Sequence, residues 1–341
     1  MRPPNSLSDV PDTPELLRTD SLATLVEATD LLNIELPDRR WSDQTHLEWL
    51  YGANPYGRGI YGFRREGARL DAHYAHVPQL YRTPNGPMRM MFSLNAVTRA
   101  VGQRRGHFWS IAEELFARDL AEYGAQGIIG VSNDNSTPPV VRKLDFRLLG
   151  PLPVRVVPRG RGIGAGVGQR VGQGVGSDAV DHHLVDLEFL ASETATAAFE
   201  DLDHPVEWGW RNVASPEYLR WRLASPNTAP FSVHVTDELV AVSTTSHLGP
   251  VPAAVILKLM PRRPLARPLF ANRLISSICA HHGAPFAVYA GFNARVVVRG
   301  FQPPRRLQPA PLNLIYRSLT PVAAKHGFRL ETFEFLDMDA Y

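Results

Sequence analysis

The chain has 341 residues, of which 44% are hydrophobic and 21% are charged, and its formal net charge is +2. That length suits two domains of about 150 to 170 residues, each of which can bury its own core. The composition is typical of a soluble globular protein, and no segment approaches the roughly 18 consecutive apolar residues of a membrane span. So small a net charge gives no support to a nucleic-acid-binding function.

Cysteine content and the N-terminal segment indicate a cytoplasmic protein. Cys279 is the only cysteine, so an intramolecular disulfide is impossible, as is usual in a reducing compartment. Residues 1–20 are rich in Pro, Ser and Asp and lack the apolar core of a secretory signal. We expect them to form a flexible N-terminal arm. Lysine occurs only at positions 143, 258 and 325, and this preference for arginine is typical of a GC-rich bacterial genome.

Hydrophobic periodicity predicts helices followed by strands at the start of the chain. Ser21 can cap a helix that extends to about residue 32. A second helix over 43–51 ends at the Asn-Pro-Tyr-Gly turn of 54–57, because proline cannot continue a helix. Alternating residues predict an antiparallel hairpin over 59–82 and a further strand over 88–98.

An amphipathic helix is predicted after a basic, glycine-containing loop at 102–106. Its apolar residues have the spacing of one helical face, and they are Phe108, Ile111, Ala112, Leu115 and Phe116. The rest of this half is predicted as a short buried strand over 127–132, a polar loop, a helix over 138–144 with proline in its first turn, and strand over 146–157.

A glycine-rich segment at 158–178 separates the two halves. So much glycine cannot hold a packed core, so we predict a linker between a first domain at 21–157 and a second at 179–341. An arginine–glycine tail that binds nucleic acid is the alternative, although the segment contains few arginines. Its glycines alternate from 160 to 168, which is not the spacing of a dinucleotide-binding fingerprint.

The second half repeats the order of elements of the first half. An alternating hairpin at 231–242 and a strand at 253–260 precede a basic, proline-rich loop at 261–268. A helix and a strand at 285–291 follow, and this strand leads to Asn293. We therefore predict a second domain with the fold of the first, and an unrelated α+β domain is the alternative.

The segment 88–116 offers a site for an anion. A strand ends at Thr98, the chain turns through a loop with Arg104, Arg105 and Gly106, and a helix then begins. The first backbone N–H groups of a helix have no partner within it, and they attract negative charge. Gly106 would let the backbone approach a phosphate closely, and the two arginines would add charge-assisted hydrogen bonds. This arrangement suits a pyrophosphate.

The same loop resembles the pyrophosphate loop of the GNAT superfamily of N-acyltransferases, which reads Gln/Arg-x-x-Gly-x-Gly/Ala. Gln103, Gly106 and Phe108 occupy the three defined positions, with phenylalanine in place of the usual small residue. The family's next strand ends in asparagine, here Asn133, and its next helix leads to Gly-Phe or a variant of it, here the Asp-Phe of 145–146.

The resemblance implies an α/β protein with mixed sheets, of the type also classed as α+β. It implies tandem GNAT-like domains, each of which is a mixed, mainly antiparallel sheet flanked by helices. It implies transfer of an acetyl or other acyl group from acetyl-CoA or another acyl-CoA to an amine of a small molecule or peptide, without a metal. The strand backbone would run beside the pantetheine arm, the loop would hold the pyrophosphate, and a polar pair would steady the arm. The residues so implied are Ala96, Val97 and Thr98 for the strand, Gln103, Arg104, Arg105, Gly106, His107 and Phe108 for the loop, and Asn133 and Ser136 for the pair.

The resemblance does not identify the catalytic groups. The tyrosine that serves as general acid in many members falls at Val141, and the strand at 88–98 carries no carboxylate. A general base would therefore come from His73, His76, Glu66 or the second domain. Transfer that depends on positioning alone is the alternative.

The loop at 261–268 of the second half lacks the features of its counterpart in the first half. Its prolines remove backbone donors, and no glycine allows the backbone to approach a ligand closely. We predict that the second domain has lost its cofactor site and shapes the acceptor pocket or the interface.

Two other function classes stay open. Tandem domains also resemble the FemAB-type aminoacyltransferases, which use aminoacyl-tRNA, but the pyrophosphate loop at 103–108 argues against them. A non-catalytic acyl-CoA-binding or scaffold protein is the other class, because the usual tyrosine and strand carboxylate are missing. The pairs His182-His183 and His281-His282 do not predict a metal site, since adjacent histidines point in different directions.

Overall fold

The computed structural model describes residues 22–100, 106–160, 179–304, 311–321, 323 and 328–338, together with the backbone of 15–17. The rest of the predicted arm, the loop residues 101–105 and positions 161–178 of the predicted linker lie outside the described residues.

Helices flank the sheets in both halves. None of the described helices is long and apolar enough to cross a lipid bilayer. In chain order they are α1 (Leu22–Glu35), α2 (Thr45–Gly52), α3 (His107–Tyr123), α4 (Thr137–Lys143), α5 (Leu187–Ala191), α6 (Glu193–Phe199), α7 (Pro216–Leu223) and α8 (Asn272–His281).

The strands of the described residues form two large sheets and one small one. In the first half they are β1 (Glu15–Leu17), β2 (Ile60–Glu66), β3 (Arg69–Thr83), β4 (Gly86–Thr98), β5 (Gly127–Ser132), β6 (Arg147–Pro151) and β7 (Val154–Pro158). In the second half they are β8 (Asp181–Leu184), β9 (Arg211–Asn212), β10 (Ser232–Val235), β11 (Leu239–Leu248), β12 (Val251–Pro261), β13 (Leu269–Phe270), β14 (Phe286–Asn293), β15 (Val296–Val297), β16 (Asn313–Ser318) and β17 (Thr332–Glu334).

Both large sheets are mixed and mainly antiparallel. The first has the order β1-β2-β3-β4-β5-β16-β6, with β4 parallel to β5 and the short β9 antiparallel beside β3. The second has the order β8-β10-β11-β12-β14-β17, with β12 parallel to β14 and β7 antiparallel beside β14. The short strands β13 and β15 form the separate small sheet. The predicted fold class, α+β with mixed sheets flanked by helices, is confirmed.

The first sheet is covered on both faces, and the alternation along β3 assigns its residues to them. Ala75 and Val77 belong to the core that includes α1, while Ala72 and Tyr74 belong to the core that includes α3. The apolar stripe predicted for α3 is buried, from Ile111 to Phe116. One face of β3 therefore packs on the core that includes α1, and the other face packs on the core that includes α3.

The two sheets exchange strands across the predicted boundary at 158–178, and the first sheet also receives the short strand β9, which pairs with β3. Strand β16, from the second half of the chain, pairs with β5 and β6 in the first sheet. Strand β7, from the first half, pairs with β14 in the second sheet. A division into 21–157 and 179–341 therefore does not separate the sheets, because strand pairing at these positions joins distant parts of the chain.

The strand predicted over 146–157 is present as two strands, β6 and β7, which lie in different sheets. Pro151 and Pro153 lie where β6 ends and β7 begins, and proline has no N–H to continue a ladder. Between them, the Leu152 N–H donates to the Leu312 carbonyl. This short crossing carries the chain from the first sheet to the second.

Helices α2 and α7 join the two halves through a pair of tryptophans. The rings of Trp49 and Trp221 stack with their centroids 4.8 Å apart. The Trp49 Nε1 donates to the Trp221 carbonyl at 2.9 Å, and the Trp221 Nε1 donates to the Trp49 carbonyl at 3.3 Å. Each tryptophan thus donates its indole N–H to the backbone carbonyl of the other, and this pair of hydrogen bonds links the two halves.

Candidate functional site

The parallel strands β4 and β5 pair over a short length and then separate. Their ladder extends from Met90 opposite Gly127 to Ser93 opposite Gly130. Beyond Ser93, strand β4 continues to Thr98 and pairs only with β3 among the described residues. We call the resulting gap the β4–β5 opening. Backbone N–H and C=O groups along such an edge need partners, and an extended ligand can supply them.

A β-bulge in β4 borders this opening. His73 lies opposite Val97 and Ala75 lies opposite Leu94, so two residues of β4 face one of β3. Asn95, within the bulge, has a left-handed φ of 53°. A non-glycine residue in this region is uncommon and often lies at a functional site. The bulge therefore redirects the backbone of β4 where the two strands separate.

A hydrogen-bonded chain of three side chains supports the bulge. The Asn95 Nδ2 donates to the Tyr51 hydroxyl at 2.8 Å, and this hydroxyl lies 3.0 Å from the His73 Nε2. Both Tyr51 and His73 are fully buried. Burial lowers the pKa of His73 to about 3, so its ring is neutral and can accept the tyrosine proton in a hydrogen bond. Asn95 is thus tied to the buried face of the sheet.

Helix α3 begins beside the end of β4, as predicted. Its N-cap is Gly106, with a left-handed φ of 87°, and no side chain of the described residues caps this end. A Cβ added at Gly106 would have no neighbour within 4 Å among the described residues. The uncapped N–H groups and the helix dipole make this end a suitable place for negative charge.

The remaining residues of the predicted pyrophosphate loop have different environments. Gln103, Arg104 and Arg105 lie outside the described residues. Phe108 packs against the core, with its ring 4.9 Å from that of Tyr74. This contact explains how a large side chain is accommodated where related loops have a small one.

Asp71 is a buried carboxylate near the start of α3 that the sequence pattern did not single out. Its Oδ1 accepts from Arg69 at 3.2 Å, and its Oδ2 lies 3.6 Å from the His107 Nε2 without a hydrogen bond. The Arg99 N–H donates to the Asp71 carbonyl. Asp71 thus links β3 to the residue after β4 through a backbone hydrogen bond, and its carboxylate lies near the first residue of α3.

Asn133 and Ser136 lie together at the end of β5, and their side chains bind each other. The Asn133 Oδ1 accepts from the Ser136 N–H at 2.9 Å and from the Ser136 hydroxyl at 3.0 Å. Asn313 of the exchanged strand donates to the Thr137 hydroxyl at 2.9 Å in the same turn. The strand β16 thus helps to position this loop, and contact of Asn133 and Ser136 with a ligand stays a prediction.

The candidate bases lie in three different environments. His76 is buried on the α3 face, with its Nδ1 2.6 Å from the Asp119 Oδ2. Glu66 is exposed at a hairpin end and forms an ion pair with Arg69. His73 alone among the three connects to the β4–β5 opening, through Tyr51 and Asn95. Val141, at the position of the usual tyrosine, is half-buried in α4.

The second sheet has an equivalent pair of parallel strands, but its own chain bridges the gap between them. Strands β12 and β14 pair up to Ile256 opposite Tyr289 and then separate. Strand β17 pairs with the end of β14, and the Glu334 carboxylate accepts hydrogen bonds from the Tyr289 hydroxyl and Asn293. The Asn293 Nδ2 also donates to the Leu259 carbonyl of β12 at 2.9 Å. An acyl-CoA arm would have to displace these contacts.

The buried lysine of β12 completes this closure. The Lys258 Nζ binds both carboxylate oxygens of Asp337, at 2.5 and 2.6 Å, and lies 3.8 Å from Glu334. Asp337 ends the short 3-10 turn, Phe335–Asp337, that follows β17. The C-terminal segment is thus anchored to both separated strands of the second sheet.

The basic loop at 261–268 uses its arginines to bind the backbone. Arg262 donates to the carbonyls of Thr236 and Ala197, each at 3.3 Å. Arg263 donates to the Asp237 carbonyl at 3.3 Å. These cations therefore hold the loop against the β10–β11 turn, and the loss of cofactor binding by this loop stays a prediction.

Histidines from three elements of the second half form a cluster that adjacency in the sequence did not reveal. The His182 Nδ1 lies 2.6 Å from the His234 Nδ1, and the Ser243 hydroxyl lies 2.7 Å from both His234 and His282. The His281 ring stacks on His182 at 4.7 Å. Burial is the main cause that lowers the pKa of His234 to about 2 and that of His282 to about 4. In the described part of the chain, no group of three or more His, Cys, Asp or Glu is arranged to hold a metal ion.

Comparison of the sequence with protein-family models and with curated proteins gave no match. Solved structures are similar in fold. A probable N-acyltransferase of Enterococcus faecalis has a TM-score of 0.57 at 12% identity, and the match covers 90% of this chain and 73% of that one. A GCN5-related N-acetyltransferase of Anabaena variabilis has a TM-score of 0.57 at 10% identity, with the same coverage. Eis1 of Mycobacterium abscessus has a TM-score of 0.52 at 12% identity, covering 92% of this chain and 75% of Eis1.

The chain has the GNAT fold. This conclusion agrees with the separated parallel strands and the helix that starts beside them. The first sheet contains the GNAT-like motif on which the sequence resemblance rested, and the described residues leave its opening unbridged. The second sheet has the same parallel pair, with its opening bridged by β17.

Proposed function

We propose that the protein is an acyl-CoA-dependent N-acyltransferase whose site is the β4–β5 opening of the first sheet. The observation that supports this most directly is the separation of β4 and β5 beside the uncapped start of α3 at Gly106. An open strand edge and a helix N-terminus suit the two parts of acyl-CoA, the amide-containing arm and the pyrophosphate.

Each part of the site has a proposed partner on the acyl-CoA. The backbone of Ala96, Val97 and Thr98 would bind the pantetheine amides as an added strand binds a sheet edge. The α3 start and its preceding loop, from Gln103 to Phe108, would bind the pyrophosphate. The open space around Gly106 fits this role, since nothing described blocks close approach of a phosphate.

The proposed reaction is direct transfer to an amine. The amine nitrogen attacks the thioester carbonyl, the C–S bond breaks, and CoA leaves as the thiolate, which takes up the proton that the amine loses. The chain's contribution would be to hold both reactants in position, which can lower a barrier by several kcal/mol. We assign the acceptor side of the site to Asn95, whose amide is oriented by Tyr51 and His73.

Binding of acyl-CoA tests this proposal directly. We expect isothermal titration to detect binding of acetyl-CoA, CoA or a longer acyl-CoA by the parent protein. Gly106→Val should weaken binding at least tenfold, about 1.4 kcal/mol, because it puts a branched side chain at the phosphate cradle. Gly124→Val is the matched control, since Gly124 ends the same helix with a left-handed φ of 59° and equally open surroundings.

The strain of each valine should be similar, so a loss of binding in both variants would indicate damage to α3 and not to the site. Unchanged binding by Gly106→Val would show that the pyrophosphate lies elsewhere. Absence of binding by the parent to all three ligands would overturn the proposal.

A non-catalytic acyl-CoA-binding protein is the second candidate, and the half-buried Val141 at the usual tyrosine position favours it. An assay of CoA release with a thiol reagent, over a panel of amines, separates the two candidates. Binding without amine-dependent CoA release from any member of the panel would support the second.

A further inference from the structure

A small cavity lies where β9 meets the ends of β12, β14 and β17. Its polar walls include three cationic side chains, and its volume is about 20 Å³. This volume exceeds the space that a single water molecule needs. Its polar lining consists of Arg211, Asn212, Lys258, Asn293, Arg295, Thr332 and Glu334. We call it the β9–β17 cavity.

Two of the three cations in its walls are neutralised by carboxylates of the protein. Lys258 is held by Asp337 at 2.5 Å. Arg211 forms an ion pair with Glu331 at 3.2 Å. Their charges therefore leave little attraction for a further anion.

The third cation, Arg295, has no carboxylate at ion-pair distance in the described part of the chain, although Glu331, which pairs with Arg211, attracts it from farther away. Within the described residues no carboxylate lies within 4.0 Å of its guanidinium group, which donates only to the Arg263 carbonyl, at 3.5 Å. Burial is the main cause that lowers the pKa of Arg295; the nearby Arg211 lowers it further, and Glu331 opposes the shift only in part. A partly buried guanidinium beside a second one is stabilised by an anion placed between or against them.

Two buried hydrogen-bonding groups in the walls also lack partners. Asn212 is 2% exposed and Thr332 is 3% exposed. Within the described residues, the two polar atoms of the Asn212 amide and the Thr332 hydroxyl make no hydrogen bond of normal geometry. Asn212 does lie near the Tyr218 hydroxyl. Leaving such a group unsatisfied costs about 1–3 kcal/mol. These groups therefore point to something that binds in the cavity.

The acidic wall of the cavity is less negative than its composition indicates. The Glu334 carboxylate is already bound by the Tyr289 hydroxyl and Asn293. Burial raises its pKa to about 7. A substantial fraction of this group is protonated at neutral pH, so it repels an anion less than an ordinary glutamate does.

We propose that the β9–β17 cavity binds a small oxyanion, either a carboxylate group or inorganic phosphate, with Arg295 as its ion-pair partner. The Asn212 amide and the Thr332 hydroxyl donate the remaining hydrogen bonds. The site belongs to the second half of the chain and is separate from the β4–β5 opening. It stands whether or not the first sheet binds acyl-CoA.

Titration of the full chain with sodium phosphate and with sodium acetate tests the site, with sodium chloride at equal ionic strength as the reference. We expect saturable binding of one of the two oxyanions by calorimetry, and a rise in melting temperature above that in chloride. Which oxyanion saturates distinguishes an inorganic from an organic source. Binding of neither, or an equal effect of chloride, would overturn the proposal.

Variants locate the site. Arg295→Gln should weaken oxyanion binding at least tenfold, whereas Arg299→Gln should leave it unchanged. Arg299 is an exposed residue of the same segment whose guanidinium lies over the Phe270 ring, outside the cavity. Equal affinity in the parent and Arg295→Gln would overturn the assignment.

A second variant, Asn212→Leu, tests the site independently in case Arg295→Gln does not fold. Asn212→Leu replaces the unpartnered amide by an apolar group of similar size, so the melting temperature in chloride should not fall. It should lose the stabilisation by the oxyanion. Retention of that stabilisation would exclude Asn212 from the site and contradict the proposal.

Discussion

His76 and Asp119 form a fully buried pair against α3, with 2.6 Å between Nδ1 and Oδ2. Burial raises the pKa of Asp119, so this carboxylate depends on its partner. His76→Phe should lower the free energy of unfolding by about 3–5 kcal/mol, because it leaves a buried group unpaired. Urea denaturation at pH 7 measures the change.

Replacing both partners is the control for this pair. His76→Phe combined with Asp119→Leu should recover most of the lost stability, since no unpaired polar group remains. If His76 only supports the fold, this double variant should also recover acyltransfer. A stable double variant without acyltransfer would return His76 to the candidate bases.

The histidine cluster predicts acid sensitivity. The pKa values of His234 and His282 lie below that of an unfolded histidine, about 6.5, so the unfolded chain binds more protons on acidification. Their contribution to stability is complete above pH 6.5 and is lost as the pH falls towards about 4 and below. The fully buried His234 accounts for up to about 1.4 kcal/mol per pH unit, and the half-buried His282 for less because solvent screens it. Urea denaturation at pH 7 and pH 5 measures this loss.

His234→Gln is the variant that tests the cluster. Glutamine keeps a neutral hydrogen-bonding group but cannot take up a proton, so the loss of stability between pH 7 and pH 5 should become smaller. An unchanged pH dependence would assign the acid sensitivity to other groups.

Elements with strong local signals were predicted well. The stripe from Phe108 to Phe116 and the glycine before it predicted α3 and its start, because helical periodicity and a left-handed cap are local properties. The place of Gly106 at the start of α3 follows from the same signals. The bulge at Asn95 and the chain through Tyr51 to His73 could not be predicted, because they depend on which strands and helices pack together.

The closure of the second opening by β17 is an element-scale feature that mutation can test. Glu334→Ala removes the acceptor for the Tyr289 hydroxyl and Asn293, so we expect a loss of about 2 kcal/mol or more in unfolding free energy. Glu334→Gln keeps one acceptor oxygen and should cost less. Chemical denaturation of both variants measures the difference, and equal costs would mean that these hydrogen bonds contribute little.

At the scale of the whole molecule, the strand exchange was the feature least accessible to the sequence. Alternation identified 146–157 as strand, but alternation does not state a partner, and β6 and β7 turned out to join different sheets. The glycine-rich segment likewise marked a change of composition without revealing that β16 returns to the first sheet. Pairing between residues about 180 positions apart is decided by tertiary packing, which no local pattern contains.

The exchange predicts that the two halves fold together. A fragment of residues 1–160 lacks β16, so β5 and β6 lose the strand between them. A fragment of residues 161–341 lacks β7, which covers one side of β14. Each fragment alone would expose long, unpaired strand edges and part of its core. We therefore expect neither fragment to show the near-UV circular dichroism or the cooperative unfolding of the intact chain.

Co-expression of the two fragments should restore both signals, because each supplies the strand that the other lacks. The intact chain should unfold in a single transition, with ellipticity and tryptophan fluorescence changing together, since Trp49 and Trp221 stack across the halves. Cooperative unfolding of either fragment alone would mean that the exchanged strand is dispensable. Two separate transitions in the intact chain would mean that the sheets are stabilised independently, in spite of the strands that they share.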